Sequence, residues 1–312
     1  MTEENVTSSW NGFIFVGFPN ILGSQSGLFV IFLSIYIMTL FGNLTIIFMT
    51  TFEFQLQTPM YFLLGQLSLL DLCYITVTVP KMLSNFLNVK KTISLGGCIT
   101  QLLFFISMEG TEAFLLTAMA YDRYVAICFP LRYTSIMNRC WLLVAVAWVI
   151  GFCNSLVHTT LTFSLPFCGS HKLNHYFCDI PPLLQISCKE TQLNELVLVI
   201  VGGICIGFSS FICILVSYTL IIFTILRITS ANGKLKVFST CGPHLIVVAL
   251  FYGTAIFTYI RPSSAYSLQR DSFVSVMYSV VPPMLNPIVY SLRNKEIKRI
   301  VGKRLCGREE IL

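Results

Sequence analysis

The chain has 312 residues, 55% of them hydrophobic and only 11% charged, with a mean hydropathy of +0.77. A soluble helical protein of this length needs far more charge to clothe its surface, so the composition excludes one. The formal net charge of +6 is best explained by lysine and arginine gathered at an inner membrane leaflet, and not by nucleic-acid binding.

In chain order, Met1–Trp10 reads as a short acidic tail without a cleavable signal peptide. Asn5-Val6-Thr7 within it is a glycosylation sequon; Asn43-Leu44-Thr45 is a second, but in a span where it cannot be modified. Seven apolar stretches follow, each long enough for a hydrocarbon core of roughly 30 Å, which takes about 20 helical residues. They are Leu28–Met49, Pro59–Leu87, Cys98–Ile127, Cys140–Leu161, Leu196–Leu226, Val237–Ile260 and Ser272–Leu292. The first, fourth, fifth and seventh carry no Asp, Glu, Lys or Arg, and the sixth has only His244 to set against that. The expectation is an all-α membrane protein, a seven-transmembrane helix bundle forming one domain. It comprises an outer tail (1–27), the bundle (28–292) and a cytosolic tail (293–312). In that tail Ile297, Ile300, Val301 and Leu305 recur at helical spacing opposite Lys295, Lys298, Arg299 and Lys303. Such a basic amphipathic helix lies flat on the inner leaflet, and Cys306 beside it is a candidate for palmitoylation.

Basic residues set the orientation. With the amino terminus outside, the cytosolic side holds Arg123, Arg132, Arg139, Arg227, Lys234 and Lys236, then Arg293, Lys295, Lys298, Arg299, Lys303, Arg304 and Arg308. Of the twelve cysteines, Cys98, Cys168, Cys178 and Cys188 then fall on the outer, oxidising side. An even number there favours disulfides, with three pairings open. Zinc is the weaker reading, because His171 and His175 lack a carboxylate pair. The outer segment Thr162–Glu195, rich in Pro, Cys and aromatics, reads as a folded lid.

Three acids sit at membrane depth, where charge is costly and marks function. Thr58 and Pro59 read as N-cap and first-turn residues of the second span, which places Asp71 roughly 18 Å in. Glu112, eleven residues before Arg123, lies roughly 16 Å in, with Asn43 and Asn286 at about 15 and 10 Å. Adjacent carboxylates cannot both stay ionised there without a cation. A sodium ion held by Asp71, Glu112 and Asn286, with Asn43 nearby, competes with a neutral hydrogen-bonded cluster. Eleven residues are close to three turns, so Glu112 and Arg123 share a helix face. Glu109 lies one turn further out and is a candidate to hydrogen-bond a ligand.

Met119-Ala120-Tyr121-Asp122-Arg123-Tyr124-Val125-Ala126-Ile127-Cys128 closes the third span, and Asn286-Pro287-Ile288-Val289-Tyr290 stands in the seventh. Pro287 is expected to interrupt that helix and free carbonyls that Asn286 helps satisfy. Together these resemble the rhodopsin-like class of G-protein-coupled receptors. Pro59-Met60-Tyr61-Phe62-Leu63, His175-Tyr176-Phe177-Cys178-Asp179, Lys236-Val237-Phe238-Ser239-Thr240-Cys241, Tyr259-Ile260-Arg261-Pro262 and Pro283-Met284-Leu285-Asn286-Pro287, running on to Ser291-Leu292-Arg293-Asn294-Lys295, narrow it. The whole chain resembles the odorant receptors of vertebrates.

That resemblance implies disulfides Cys98–Cys178 and Cys168–Cys188. It implies that Arg123, flanked by Tyr124, pairs with Asp122 at rest and releases it to meet a G protein, while Tyr218, Pro287 and Tyr290 rearrange as the sixth span swings outward. It also implies an odorant cavity lined by Phe105, Ile106, Glu109, Asn154, Ile180, Gly202, Gly203, Ile206, Tyr252, Ile256, Tyr259 and Ser279. Function follows as binding of small, mostly apolar volatiles, activation of a stimulatory olfactory-type G protein and a rise in cyclic AMP. The expected setting is the plasma membrane of olfactory cilia. No cofactor beyond the candidate sodium ion, and no nucleic acid, is implied. Gly242-Pro243, Gly65-Gln66 and the acidic first inner loop depart from the family pattern; they bear on coupling and expression, and Pro243 weakens the sixth helix near its moving end.

Other classes fit less well. A cation transporter or channel using Asp71, Glu109 and Glu112 predicts inverted repeats and paired broken helices, which the sequence lacks. The seventh span has no Lys for a retinal Schiff base, and no nucleophile–base pair or metal motif suggests an enzyme. A seven-helix receptor for a non-odorant metabolite outside the nose remains the competing reading.

Overall fold

The computed structural model describes residues 12–17, 25–168, 171–227, 230–259, 268–293 and 299, with some side chains inside the later helices left out. Among these, α1 (Gln25–Phe52), α2 (Pro59–Leu87), α3 (Leu95–Cys128), α4 (Cys140–Phe163), α5 (Gln192–Arg227) and α6 (Ala231–Tyr259) each contain a stretch long and apolar enough to cross a membrane. The seventh span is in two pieces, α7 (Leu268–Ser279) and α8 (Val281–Arg293). Asn5, the Arg261-Pro262 pair, the Tyr259 side chain, Cys306 and nearly all of the basic tail lie outside the described residues.

Lipid explains which faces are apolar. Phe41 is 75% exposed on α1 and Val149 62% on α4, and α5 turns most of its apolar surface outward. Backbone groups there must bond within the helix, because hydrocarbon offers no partner. By contrast α3 is the central strut, packed on α2, α4, α5 and α6, with Leu102, Phe105, Leu115 and Leu116 fully enclosed.

Helices approach closely where side chains are small. A Cβ added at Gly151 would lie 2.5 Å from the Ser107 carbonyl oxygen and 3.0 Å from the Thr111 nitrogen, and would collide with the Thr111 hydroxyl. One turn on, Ser155 donates to the Leu103 carbonyl. Gly151→Ala is therefore expected to force α3 and α4 apart, at about 1–3 kcal/mol. A lowered melting temperature of the detergent-solubilised protein would register it.

Three local departures from the sequence expectations have identifiable causes. First, the amino-terminal segment contributes a strand. β1 (Gly12–Phe15) pairs antiparallel with β2 (Thr92–Ser94) and parallel with β3 (Lys172–Leu173), and the short strand length gave no usable alternation. Gly12 takes φ +153°, and a Cβ there would meet the Ile93 carbonyl. Second, Leu198–Phe208 within α5 is a π-helix containing Gly202, Gly203 and Gly207. Third, the seventh span breaks at Val280 and not at Pro287, around which α8 stays helical. Pro282 and Pro283 lack the N–H groups that would join α7 to α8.

Candidate functional site

At the end of the bundle that carries the disulfides, the lid segment His175–Asp179 is fastened to two helices, α3 and α7. Both disulfides are formed, Cys98–Cys178 and Cys168–Cys188, each with Cα atoms 5.6 Å apart. The Cys178 N–H donates to Gln101 Oε1 at 2.9 Å, and Gln101 Nε2 donates to the Val77 carbonyl at 2.8 Å. Tyr278 donates to Asp179 Oδ2 at 2.6 Å, the Tyr176 and Ser279 hydroxyls meet at 2.5 Å, and His175 Nε2 lies 2.5 Å from Ser275 Oγ. Phe177 turns inward onto Phe105, ring centroids 4.7 Å apart. The lid thus covers this end of the bundle and packs onto α3 through one aromatic ring.

Burial holds the His175 imidazole down at about 4, against a smaller opposing effect from its bond to the Phe177 carbonyl. The folded value is below the ordinary 6.5, so the contribution is complete above pH 6.5 and is lost as pH falls from there towards 4. The loss is on the order of 3 kcal/mol. Burial pushes the Asp179 carboxyl up, which acts in the opposite sense. The comparison is therefore between variants. Wild type is expected to lose more thermal stability between pH 7.5 and 5 than His175→Gln, whose amide stays neutral throughout.

Below the lid, α3 presents Phe105 and Ile106, both buried, and the half-buried Glu109. Phe105 is enclosed by Tyr74, Phe177 and Tyr278. Ile180 opens a short lid helix and is buried, and Ser279 is spent on Tyr176 and the Ser275 carbonyl. Asn154 packs beside Gly110, and Gly202 faces His158, whose Nε2 lies 3.6 Å from where a Cβ would stand. Ile206 is buried, and Tyr252 shares a hydrogen bond of 2.7 Å with Ser210. Gly203 and Ile256 are exposed. The structure therefore gathers Asn154, Gly202, Ile206 and Tyr252 around the space where α3, α4, α5 and α6 meet, whereas Phe105 faces α2, α7 and the lid, and Ser279 and Ile180 belong to the lid.

Polar groups in this space lack partners. Asn154 Oδ1, His158 Nε2, Thr159 Oγ1 and Ser107 Oγ are all buried with no hydrogen bond. Of these only Asn154 was expected. His158 follows Asn154 by four residues on an otherwise apolar span, and that spacing was the available signal.

At mid-depth, Asn286 Nδ2 donates to both carboxylate oxygens of Asp71, at 3.1 and 3.0 Å. Asn43 Nδ2 donates to the Pro283 carbonyl at 3.1 Å. That carbonyl lies four residues before Pro287, so it is the one freed by the missing N–H. Asn43 satisfies it, not Asn286 as expected. Gly42 allows the approach, with a Cβ position only 3.0 Å from the Pro287 ring. Glu112 lies within electrostatic reach of Asp71. Asn43 Oδ1, Asn286 Oδ1 and Glu112 Oε1 remain buried without hydrogen bonds. Among the described residues no three His, Cys, Asp or Glu side chains are grouped to hold a metal ion.

At the end of the bundle away from the lid, Arg123 Nη2 lies 3.4 Å from Asp122 Oδ2, and Tyr133 donates to Asp122 Oδ1 at 2.7 Å. Burial pushes the Tyr133 phenol up, and the bond to Asp122 adds to it. Tyr218 reaches His244 Nδ1 at 2.7 Å, and His244 Nε2 donates to the Leu116 carbonyl at 3.1 Å. Tyr124 is half-buried, and the Tyr290 hydroxyl is buried without a partner.

α3 thus carries Phe105 under the disulfide-tied lid at one end and the Asp122–Arg123 pair towards the other. A family model described as olfactory receptor matches residues 32–308. The chain belongs to the olfactory receptor family. It is 50% identical over 311 residues to olfactory receptor 1G1 of Gorilla gorilla gorilla, covering 99% of each chain. It is 46% identical over 310 residues to olfactory receptor 5AR1 of Homo sapiens, covering 97% of this chain and 99% of that one. It is 51% identical over 300 residues to olfactory receptor-like protein COR4 of Gallus gallus, covering 96% of each. The protein is thus a multi-pass membrane receptor for odorants that couples to a G protein, and not an enzyme.

For an olfactory receptor the geometry has a plain chemical meaning. α3 links the lid to the Asp122–Arg123 pair near its far end.

Proposed function

We propose that this olfactory receptor takes a small, mostly apolar volatile between α3, α4, α5 and α6, and couples to a stimulatory olfactory-type G protein that raises cyclic AMP. The observation that supports it is the set of unpartnered buried atoms, Asn154 Oδ1, His158 Nε2 and Thr159 Oγ1, on α4, where Asn154 meets Gly110 of α3 and His158 meets Gly202 of α5. A buried polar atom without a partner carries a desolvation cost that a ligand hydroxyl can remove. Affinity must differ between resting and active arrangements for binding to signal. Moving a 1:99 balance to 99:1 takes about 10⁴-fold preference, so most odorants act as partial agonists.

The amino terminus lies outside, the basic tail 293–312 rests on the inner leaflet, and the receptor works in olfactory cilia. Asn5 carries the glycan. A sodium ion shared by Asp71, Glu112 and Asn286, with Asn43 beside them, suits the unsatisfied oxygens of Asn43, Asn286 and Glu112; carboxylate and amide oxygens are the donors such a hard cation prefers.

A cyclic AMP assay across an odorant panel tests the reading. Arg123→Ala is expected to abolish the evoked response at normal surface expression, and Glu109→Gln to change which odorants work. Odour-evoked current that persists in cells lacking G protein would sink it.

A further inference from the structure

Between α3 and α4 the chain stays on a helical path. A 3₁₀ turn Pro130–Arg132, a short helix Tyr133–Ile136 and a second 3₁₀ turn Met137–Arg139 follow one another. Two side chains fix this segment to the bundle: Met137 is 1% exposed, and Tyr133 donates to Asp122. Arg132, Thr134, Ser135 and Arg139 are all exposed. Neither arginine forms an ion pair among the described residues. Exposed hydroxyls on the long helices, such as Ser34, Thr45 and Thr219, are spent on the carbonyl four residues back. The Ser135 hydroxyl makes no such bond.

Arg132 stands three residues before Ser135, and Arg139 four residues after it. Neighbours at those offsets on a regular helix lie roughly 5–6 Å apart at Cβ, so two long cationic side chains flank one free hydroxyl. Thr134 has Leu131 and Asn138 at the same offsets, and no cation. A phosphate carries about −1.5 to −2 charge with three acceptor oxygens, and a guanidinium can bond two of them at once. An arginine three residues before the acceptor is also what an arginine-directed protein kinase recognises, through acidic side chains in its substrate groove. We infer that Ser135 accepts a phosphoryl group from such a kinase, and that the phosphate then bridges Arg132 and Arg139. This rests on the orientation proposed above, which puts the loop in the cytosol with the kinase and its nucleoside triphosphate.

In the transfer, the bond from the γ-phosphorus to the β–γ bridging oxygen breaks and the bond from Ser135 Oγ to that phosphorus forms. The nucleoside diphosphate leaves with the electron pair, and the hydroxyl proton passes to the kinase's aspartate base. A four-residue helix has little stability of its own, so the turn can extend into a kinase groove and refold around the phosphate. The bridge spans the turn that carries Tyr133, and Tyr133 holds Asp122. A stiffer turn keeps that tyrosine in place and favours the resting pairing of Asp122.

The test uses the purified full-length receptor in nanodiscs, where both faces are open, with the catalytic subunit of an arginine-directed kinase and ATP. Phosphopeptide mass spectrometry and phosphorus NMR read the result. Phosphate is expected on Ser135 and is expected to be lost in Ser135→Ala. Arg132→Gln should slow incorporation about tenfold or more, as loss of a charge-assisted bond does, and Thr134→Ala should leave it unchanged. The second ionisation of a free phosphoserine falls at about pH 6; on the folded receptor it should fall lower. Arg139→Gln should move it back up without changing incorporation. Melting temperatures before phosphorylation identify any variant that has not folded, and a control peptide shows that the kinase is active. No phosphate on Ser135, or phosphate shared equally with Thr134, would overturn the site. Equal ionisation in wild type and Arg139→Gln would overturn the bridge. Neither result bears on the odorant reading, which the assay does not use. An amino-terminal epitope reached in intact cells only after permeabilisation would separate the loop from the kinase, and would overturn the inference through the orientation.

Discussion

Cys178→Ser is expected to remove most folded receptor from the cell surface. The Cys98–Cys178 bond closes 80 residues of chain, and a loop of that length is worth about 4–5 kcal/mol in the chain-entropy account. Cys168–Cys188 closes only 20, worth about 3 kcal/mol. The larger effect also has a structural reason. Cys178 sits between Phe177, which packs on Phe105, and Asp179, which binds Tyr278. Once the cross-link is gone, Gln101 and the hydroxyls of Ser275, Tyr278 and Ser279 must hold the lid alone. Each such bond contributes about 1 kcal/mol net. Surface labelling and the melting temperature of the remaining protein measure the loss. Cys98→Ser combined with Cys178→Ser should be no worse than either alone, because both remove one bond. A Cys178→Ser receptor with wild-type surface level and melting temperature would contradict the account.

What was legible in the sequence follows from the solvent. Hydrocarbon demands long apolar helices, so α2 is found at its expected limits, Pro59–Leu87, and the others begin or end within a few residues of expectation. Thr58 does precede that helix, but its side chain accepts no capping bond there; the Thr58 carbonyl takes the Phe62 N–H instead. The acids Asp71 and Glu112 were found because charge at depth is rare. Neutral donors and acceptors gave no such signal. His244 and Ser275 become informative only once packing shows that the first joins three helices and the second meets the lid histidine. The break at Val280 was missed for a related reason: Pro287 looked like the stronger breaker, but Asn43, 240 residues before the carbonyl it binds, satisfies the group that Pro287 frees. Pairings across such separations are set by three-dimensional packing, which periodicity cannot report.

The second large effect concerns the inner latch. His244→Phe is expected to raise basal signalling. His244 is 2% exposed and bridges three helices, accepting from Tyr218 on α5 and donating to the Leu116 carbonyl on α3. Because Nε2 faces a carbonyl, it carries the proton, and Nδ1 must accept. Phenylalanine keeps the ring volume and removes both bonds, at about 2 kcal/mol together. If the bridge exists only in the resting arrangement, the whole of that is lost from the resting side. A 1:99 balance then moves about 30-fold, to roughly one quarter active without odorant. The Leu116 carbonyl keeps its place in α3, but the Tyr218 hydroxyl is left without its acceptor. Arg123 is a nearby group able to donate to it, once released from Asp122. Tyr218→Phe should therefore raise basal activity less than His244→Phe, since it removes one bond and also the hydroxyl that would meet Arg123. The double variant should fall short of the sum. Basal cyclic AMP at matched surface expression reads all three. A basal level at or below wild type in His244→Phe, with the variant folded and at the surface, would show that the Tyr218–His244–Leu116 chain survives activation and does not hold the resting state.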